Sequence, residues 1–548
     1  MGFELLGGRR GKSAGARSLP VGRAKALGAA AGWFACLFML ALCFAAPQAE
    51  AQTKPAVSPP ENVVEYELEN GWRFLLYPRP GAPTLSFETY VSVGSADDPI
   101  GMSGMANLVK NLLFKGTQRI GSKDWELESE ALGKLGECHR TWQDALAAGS
   151  AQEISAAKQL FESARSKAAE FVQPEEFSSI LEAAGGSGTL NAFLTQNSTR
   201  FVVSLPSNQA ELWCWMESER FRNPVFREFF VERAALHEEL SRQTADDSTG
   251  ALARALRAAA YGKHPLGRPS AGIGEEIALL EPARAMAFFR EHYDPKRMVT
   301  TIVGNVNPDT LLSLLKRYFG RLPARADSAS GLPTLAPQQA EQRVEIESEG
   351  GPEVWIAWHV PALAHPDSPA IEIAVRILGF ARSSRLEKRL RRTSSLASQL
   401  EVLPVWEGDR RPSLALIRCT PTLGTSTQEL EEAIYQEIKR LTEEGPTKEE
   451  LSGVKRVATA DHYRSLRVNS ALAAGLGSSL AKTGSWRHFF EREQRLSAVQ
   501  GREVQRVLAK WFLKKHRTVA TLVAPILKQE IPAAPQSEST ENAKEKDQ

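Results

Sequence analysis

At 548 residues the chain is too long for one ordinary hydrophobic core, so two or more domains are expected. A hydrophobic share of 42% with 24% charged residues excludes a disordered or membrane-embedded chain. A formal charge of +2, much of it near the N-terminus, excludes the broad basic face that a nucleic-acid partner needs.

The first fifty residues read as an export signal. Arg9, Arg10, Lys12, Arg17, Arg23 and Lys25 make a positive start, and an apolar run from Leu27 to Ala46 follows. Ala49-Glu50-Ala51 then places small residues at the two positions that a signal peptidase inspects. Cleavage is expected after Ala51, giving a periplasmic or secreted protein with no stable membrane span. The competing reading is an uncleaved anchor, since the run is nearly long enough to cross a bilayer. Cys36 and Cys43 leave with the signal. Cys138, Cys214 and Cys419 have neither metal-site nor disulfide-framework spacing and are expected to be buried free thiols.

The remaining chain says the same thing twice. Val63–Leu68 and Trp72–Tyr77 read as strands around an Asn70-Gly71 turn, Thr84–Val93 as a third strand, and a helix starts near Gly104. Arg343–Glu347 and Val354–Val360 read as strands around Gly350-Gly351, followed by a helix from Ser368 to Leu378. The recurrence predicts two copies of one α/β unit, one within 52–323 and the other within 343–531. Residues 324–342, rich in Ala, Ser, Pro and Gln, read as a linker, and 532–548 as a disordered tail. Trp125–Phe171 has helical spacing, and Pro174 ends it, so an inserted helical hairpin is expected over about 125–173.

Gly101-Met-Ser-Gly-Met-Ala-Asn-Leu-Val-Lys-Asn-Leu-Leu-Phe-Lys-Gly-Thr117 carries the chemistry. This stretch resembles the active-site helix of the pitrilysin/insulinase family, the inverted zincins, whose pattern is H-x-x-E-H followed closely by F-K-G-T. Gly104, Ala106, Leu113, Phe114, Lys115, Gly116 and Thr117 match the frame, but Asn107 and Asn111 stand where the family has histidines and Lys110 where it has glutamate. Two histidines four apart on one helical face supply two zinc ligands, and the glutamate between them polarises the metal-bound water. Amides are feeble zinc ligands, and an ammonium neither takes a proton from water nor tolerates a dication beside it.

The resemblance extends over about residues 60–525. It implies an α+β fold of two homologous units, each an antiparallel sheet flanked by helices, forming half of a clam-shell. It places Glu239 at the third ligand position and Glu232 beside it, with His237 and Glu238 as exposed neighbours. With the histidines gone, Lys110 is expected to take the electrostatic place of the metal by pairing with Glu239 or Glu232, since a buried lone carboxylate is costly. Gly185–Ala192 resembles the loop and edge strand on which family peptidases lay an extended substrate, which makes Asn191 and Ala192 substrate-binding candidates. Leu194 and Asn197 depart there from the family's threonine and aspartate. Arg391 matches an arginine that reaches substrate in active members, with a surface charge as the competing reading, and Ser398 replaces the family's tyrosine.

Three functions follow in order. The first is a non-catalytic subunit that adds peptide binding to an active zinc-peptidase partner, with no cofactor of its own. The second is a stand-alone or homodimeric peptide-binding protein. The third is a hydrolase with an atypical centre of Glu232, Glu239 and His264. Zinc returns only if the lost-site reading is wrong.

Overall fold

Two sheets organise the chain, each built from strands whose alternating residues are apolar on both faces. The computed structural model describes residues 59–523 except 82, 187–189, 246, 325–330, 349 and 407–410. The expected signal segment, the 532–548 tail and residues 325–330 of the expected linker lie outside the described residues.

The first sheet contains β1 (Val64–Glu67), β2 (Arg73–Pro78), β3 (Thr84–Val91), β4 (Asn191–Leu194), β5 (Thr199–Pro206) and β6 (Met298–Gly304), in the order β1-β2-β6-β3-β5-β4. The second contains β7 (Gln342–Glu347), β8 (Glu353–Val360), β9 (Ala397–Trp406), β10 (Ser413–Pro421) and β11 (Arg517–Val523), in the order β7-β11-β8-β10-β9. Neighbours run antiparallel except β2–β6 and β7–β11, which are parallel.

The repeat is therefore present, but the strand matching shifts by one. β2-β6-β3-β5-β4 superposes in order on β7-β11-β8-β10-β9, so β1 has no counterpart in the second sheet. Asn70-Gly71 closes a true β1–β2 hairpin with Gly71 at φ 88°, whereas Gly350-Gly351 joins two strands that β11 keeps apart. Local turn chemistry looks alike in the two places. Only the C-terminal strand decides which pair is adjacent.

Among the described residues, ten α-helices belong to the first half: α1 (Met105–Leu112), α2 (Trp125–Ala148), α3 (Ala151–Ala169), α4 (Glu176–Ala183), α5 (Ala210–Arg222), α6 (Phe229–Ala245), α7 (Ser248–Tyr261), α8 (Gly274–Ala278), α9 (Pro282–His292) and α10 (Pro308–Phe319). The second half adds α11 (Ser368–Gly379), α12 (Thr427–Glu444), α13 (Lys448–Ser465), α14 (Asn469–Thr483), α15 (Arg487–Ala498) and α16 (Gly501–Trp511). Helices α2 and α3 make an antiparallel hairpin. Asp124 caps the first by accepting from Leu127 N, and a Ser150–Glu153 capping box starts the second.

Each sheet is covered on one face by its own half. Trp72, Phe74 and Phe87 meet Trp213 of α5, Phe288 of α9 and Phe319 of α10. Val354, Ile356 and Trp358 meet helices α11, α12 and α16. The other faces are exchanged. Leu472, Leu476 and Leu480 of α14 cover Leu75, Tyr90, Val299 and Val303 of the first sheet. Leu252, Leu256 and Tyr261 of α7 cover Trp355, Ala357 and Leu414 of the second. Each fully buried leucine in these seams contributes about 2 kcal/mol.

Of the three described cysteines, all free, Cys214 and Cys419 are buried as expected, whereas Cys138 is only half-buried because it stands on the hairpin rather than under a sheet.

Candidate functional site

Helix α1 opens on Gly104, which adopts φ 95°, a conformation open to glycine and costly for other residues. Its free N–H groups are taken by Asp98, whose carboxylate accepts from Gly104 N and Ala106 N at 2.7 Å each. Burial pushes this carboxyl up to about 7 against the pull of those two amides and of Arg268. The 268–275 loop lies across the helix start. A Cβ on Gly272 would sit 2.8 Å from Gly104 Cα, so glycine at both positions lets the two backbones touch.

Leu108, Val109 and Leu112 turn into the core, which leaves Asn107, Lys110 and Asn111 half-buried on the opposite face. The Asn107 amide donates to Ala271 O at 3.4 Å, a long bond that ties it to the covering loop. Burial lowers the pKa of Lys110, and the field of Glu239 on α6 opposes that shift. Glu239 itself is exposed. Of the two carboxylates expected beside Lys110, Glu239 is thus the one whose charge reaches it.

Glu232 belongs to another cation. Lys115 lies 2.9 Å from Glu232, 3.2 Å from Glu175 and 3.3 Å from Glu228. Burial pulls Lys115 down, but the three carboxylates together hold its ammonium above the ordinary lysine range. Glu238 is exposed as expected, whereas His237 is half-buried and lines a cavity of about 810 Å³ shared with Ala271 and Gly274. The loop that covers α1 also covers His237, which sequence spacing alone gives no sign of.

His264 does not join these carboxylates as a free base. Its Nδ1 accepts from Leu266 N at 3.1 Å in its own turn and its Nε2 lies 2.8 Å from the distant Pro333 O, so both ring nitrogens are engaged by backbone. An atypical centre of Glu232, Glu239 and His264 loses its base to this tether and its Glu232 to Lys115.

Strand β4 forms the open edge of the first sheet, paired only with β5. Asn191 is exposed and its Oδ1 accepts from Ala192 N at 2.8 Å, while Ala192 packs half-buried on the core. Arg391 lies in a π-helical stretch, Glu387–Thr393, and bonds Glu387 at 3.1 Å one turn earlier. Ser398 on β9 donates to Thr420 O or Pro421 O, each at 3.2 Å. Both side chains are engaged within their own half.

The F-K-G-T stretch after α1 is built around a residue that sequence reading passed over. Arg227 is buried against Glu128 of α2, with Nε and Nη2 at 2.8 and 3.0 Å from its two oxygens. The same guanidinium donates to Lys115 O, Ile120 O and Thr117 O. A Cβ on Gly116 or Gly121 would fall 2.7 or 2.6 Å from its Nη1. The segment Asn223-Pro-Val-Phe-Arg-Glu-Phe-Phe230 carries the available signal, a charged pair set between apolar residues.

Zinc does not fit these donors. Among the described residues no group of three His, Cys, Asp or Glu side chains is placed to hold a metal ion, and α1 offers two amides and an ammonium where zinc needs imidazole, thiolate or carboxylate.

A family model described as the Peptidase M16 inactive domain matches residues 280–457. An uncharacterized zinc protease of Mycobacterium leprae is 22% identical over 499 residues, spanning 88% of this chain and 97% of its own. The crystal structure of a protease from Helicobacter pylori superposes with a TM-score of 0.70 at 20% identity, over 84% of this chain and 99% of that one. In sequence and in fold the chain is similar to M16 zinc proteases. The first half of the periplasmic protease PqqL from Escherichia coli has the same fold, with a TM-score of 0.63 at 16% identity over 86% of this chain and 93% of that one. The M16 fold is that of the pitrilysin/insulinase peptidases, and the two sheets flanked by helices are one half of its clam-shell. The inactive-domain match begins just before α9, beyond α1 and Glu239.

Proposed function

We propose that this M16 homologue is an exported, non-catalytic subunit that binds extended peptide for an active zinc-peptidase partner. One observation carries the reading. Helix α1 keeps its frame, its cap and its Arg227-anchored exit, yet presents Asn107, Lys110 and Asn111 where hydrolysis needs histidine, glutamate and histidine. Lys110, drawn by Glu239, supplies one fixed positive charge where the family holds a dication. Beside it, β4 keeps an open edge, and main-chain pairing with such an edge accepts many sequences. Asn191 and Ala192 are the contact positions on this reading, Arg391 a further one on the second half. Export is supported by the Arg- and Lys-led apolar start of the chain and by the periplasmic relative. No described helix is long and apolar enough to cross a membrane.

A second reading, a stand-alone or homodimeric peptide binder, is favoured by Arg391 and Ser398. An inactive partner is expected to keep the arginine and tyrosine for substrate, and here one is paired with Glu387 and the other is absent.

The test combines metal content with peptide binding. The purified protein, dialysed after zinc addition, is expected to retain no stoichiometric metal and to leave a fluorescent extended peptide uncut. Peptide binding should survive chelator and weaken when alternate peptide amides are N-methylated. Mixing with an M16 chain bearing a complete H-x-x-E-H should raise cleavage in the subunit case and leave it unchanged in the stand-alone case. One tightly held zinc with chelator-sensitive cleavage would overturn both.

A further inference from the structure

We propose that a cavity in the second half, away from the α1 site, binds a small organic anion whose charged group sits on an apolar body. The cavity holds about 590 Å³ between α11, the 380–386 turn and α13, a size within the usual range for small-molecule sites. Its walls are mixed in a particular way. Phe380 and Val457 are 44% and 39% exposed and face it with Ile377 and Val454, leaving an apolar surface. Arg376 closes one side, stacked 4.2 Å over the Phe380 ring, but its charge is already answered by Glu372 at 2.9 Å and Asp461 at 3.3 Å.

Cationic side chains outnumber carboxylates along the lining. Lys388 and Arg456 line the cavity, and neither has a carboxylate within 4.0 Å among the described residues; Arg456 bonds only the Ser452 hydroxyl, at 3.3 Å. Of the lining carboxylates, Glu450 is held by Arg385 at 2.9 Å and closes the cap of α13, which leaves Glu449 at the rim. A second cavity of about 560 Å³ opens beyond Lys388 and adds Arg389 to the same field. Cations set in a concave, partly apolar surface raise the local concentration of anions. Phosphate alone leaves the Phe380–Val457 wall uncovered, and a neutral apolar molecule leaves Lys388 and Arg456 unanswered. A carboxylate carried on an aromatic or branched aliphatic group meets both.

The probe is N-acetylphenylalanine, with its neutral amide and inorganic phosphate as controls, titrated into the full chain by ligand-observed NMR. The acid is expected to bind saturably below about 10 mM, at least about tenfold more tightly than the amide or phosphate. Lys388→Ser with Arg456→Ser, both on the exposed rim, should weaken it about tenfold, as should Phe380→Ser alone. A short peptide ending in a free phenylalanine carboxylate that competes would assign the site to peptide ends, and failure to compete would assign it to free acids; the site stands in both cases. Equal binding of acid and amide, phosphate as tight as the acid, or wild-type affinity in the double variant whose circular dichroism is unchanged would each overturn the proposal.

Discussion

Replacing Arg227 with methionine tests how the α1 site is held from behind. Arg227 and Glu128 are 1% and 0% exposed, so the substitution strands a carboxylate where no water reaches it. Breaking such a pair from one side costs about 3–5 kcal/mol. The three carbonyls of Lys115, Thr117 and Ile120 lose their donor as well, each bond worth about 1 kcal/mol. Some of that loss is recovered by local rearrangement, so a destabilisation of about 4–6 kcal/mol is expected. Glu128→Leu combined with Arg227→Met removes the stranded charge and leaves only the carbonyl deficit, so the double variant should be no less stable than the single one. The assay is urea unfolding of the four proteins, followed by circular dichroism and tryptophan emission, arranged as a double-mutant cycle. A coupling of at least about 2 kcal/mol is expected. If Arg227→Met costs under about 1 kcal/mol, the idea that this guanidinium anchors the exit of α1 is wrong.

Three other outcomes can be checked directly. Restoring the family residues with Asn107→His, Lys110→Glu and Asn111→His should create a site holding one zinc per chain with Glu239, read by metal analysis after dialysis; no retained zinc would mean that these positions or Glu239 are misplaced. Glu88 is buried under α14 with the Arg200 guanidinium 3.6 Å away, and burial pushes it up to about 7 against the pull of that charge. Because its folded value lies above the ordinary 4.5, stability falls as pH rises between about 4.5 and 7, by up to about 3 kcal/mol, and Glu88→Gln should flatten that part of the profile in urea midpoints at pH 5 and 8. Gly116 has φ 101° and a Cβ there would meet Ile120 O at 2.2 Å, so Gly116→Ala should cost about 2 kcal/mol or more or abolish soluble expression.

The sequence carried most of the architecture because strand and helix periodicity is local. Val354–Val360 falls within a strand that starts one residue earlier, at Glu353, and the helix expected near Gly104 has Gly104 as its N-cap. Helical spacing also puts Asn107 and Asn111 on one face of α1, the half-buried face that the structure shows. What stayed hidden is set by distant chain. β11 arrives from the C-terminus to separate β7 from β8, so no turn motif near Gly350 could reveal it. Two glycines, Gly104 and Gly272, bring the 268–275 loop over the site from far along the chain. Glu232 looked like a partner for Lys110 by helix face, but Lys115 reaches it from the turn after α1.

The crossed covering of the sheets, α14 over the first and α7 over the second, limits how this molecule can move. A hinge between the halves would have to peel both helices off apolar sheet faces at once, and neither half cut from the other would keep its own lid. Expression of residues 59–323 alone should therefore yield a protein with a bare greasy sheet that aggregates. Within this chain, then, the two halves are built to move together as a single shell.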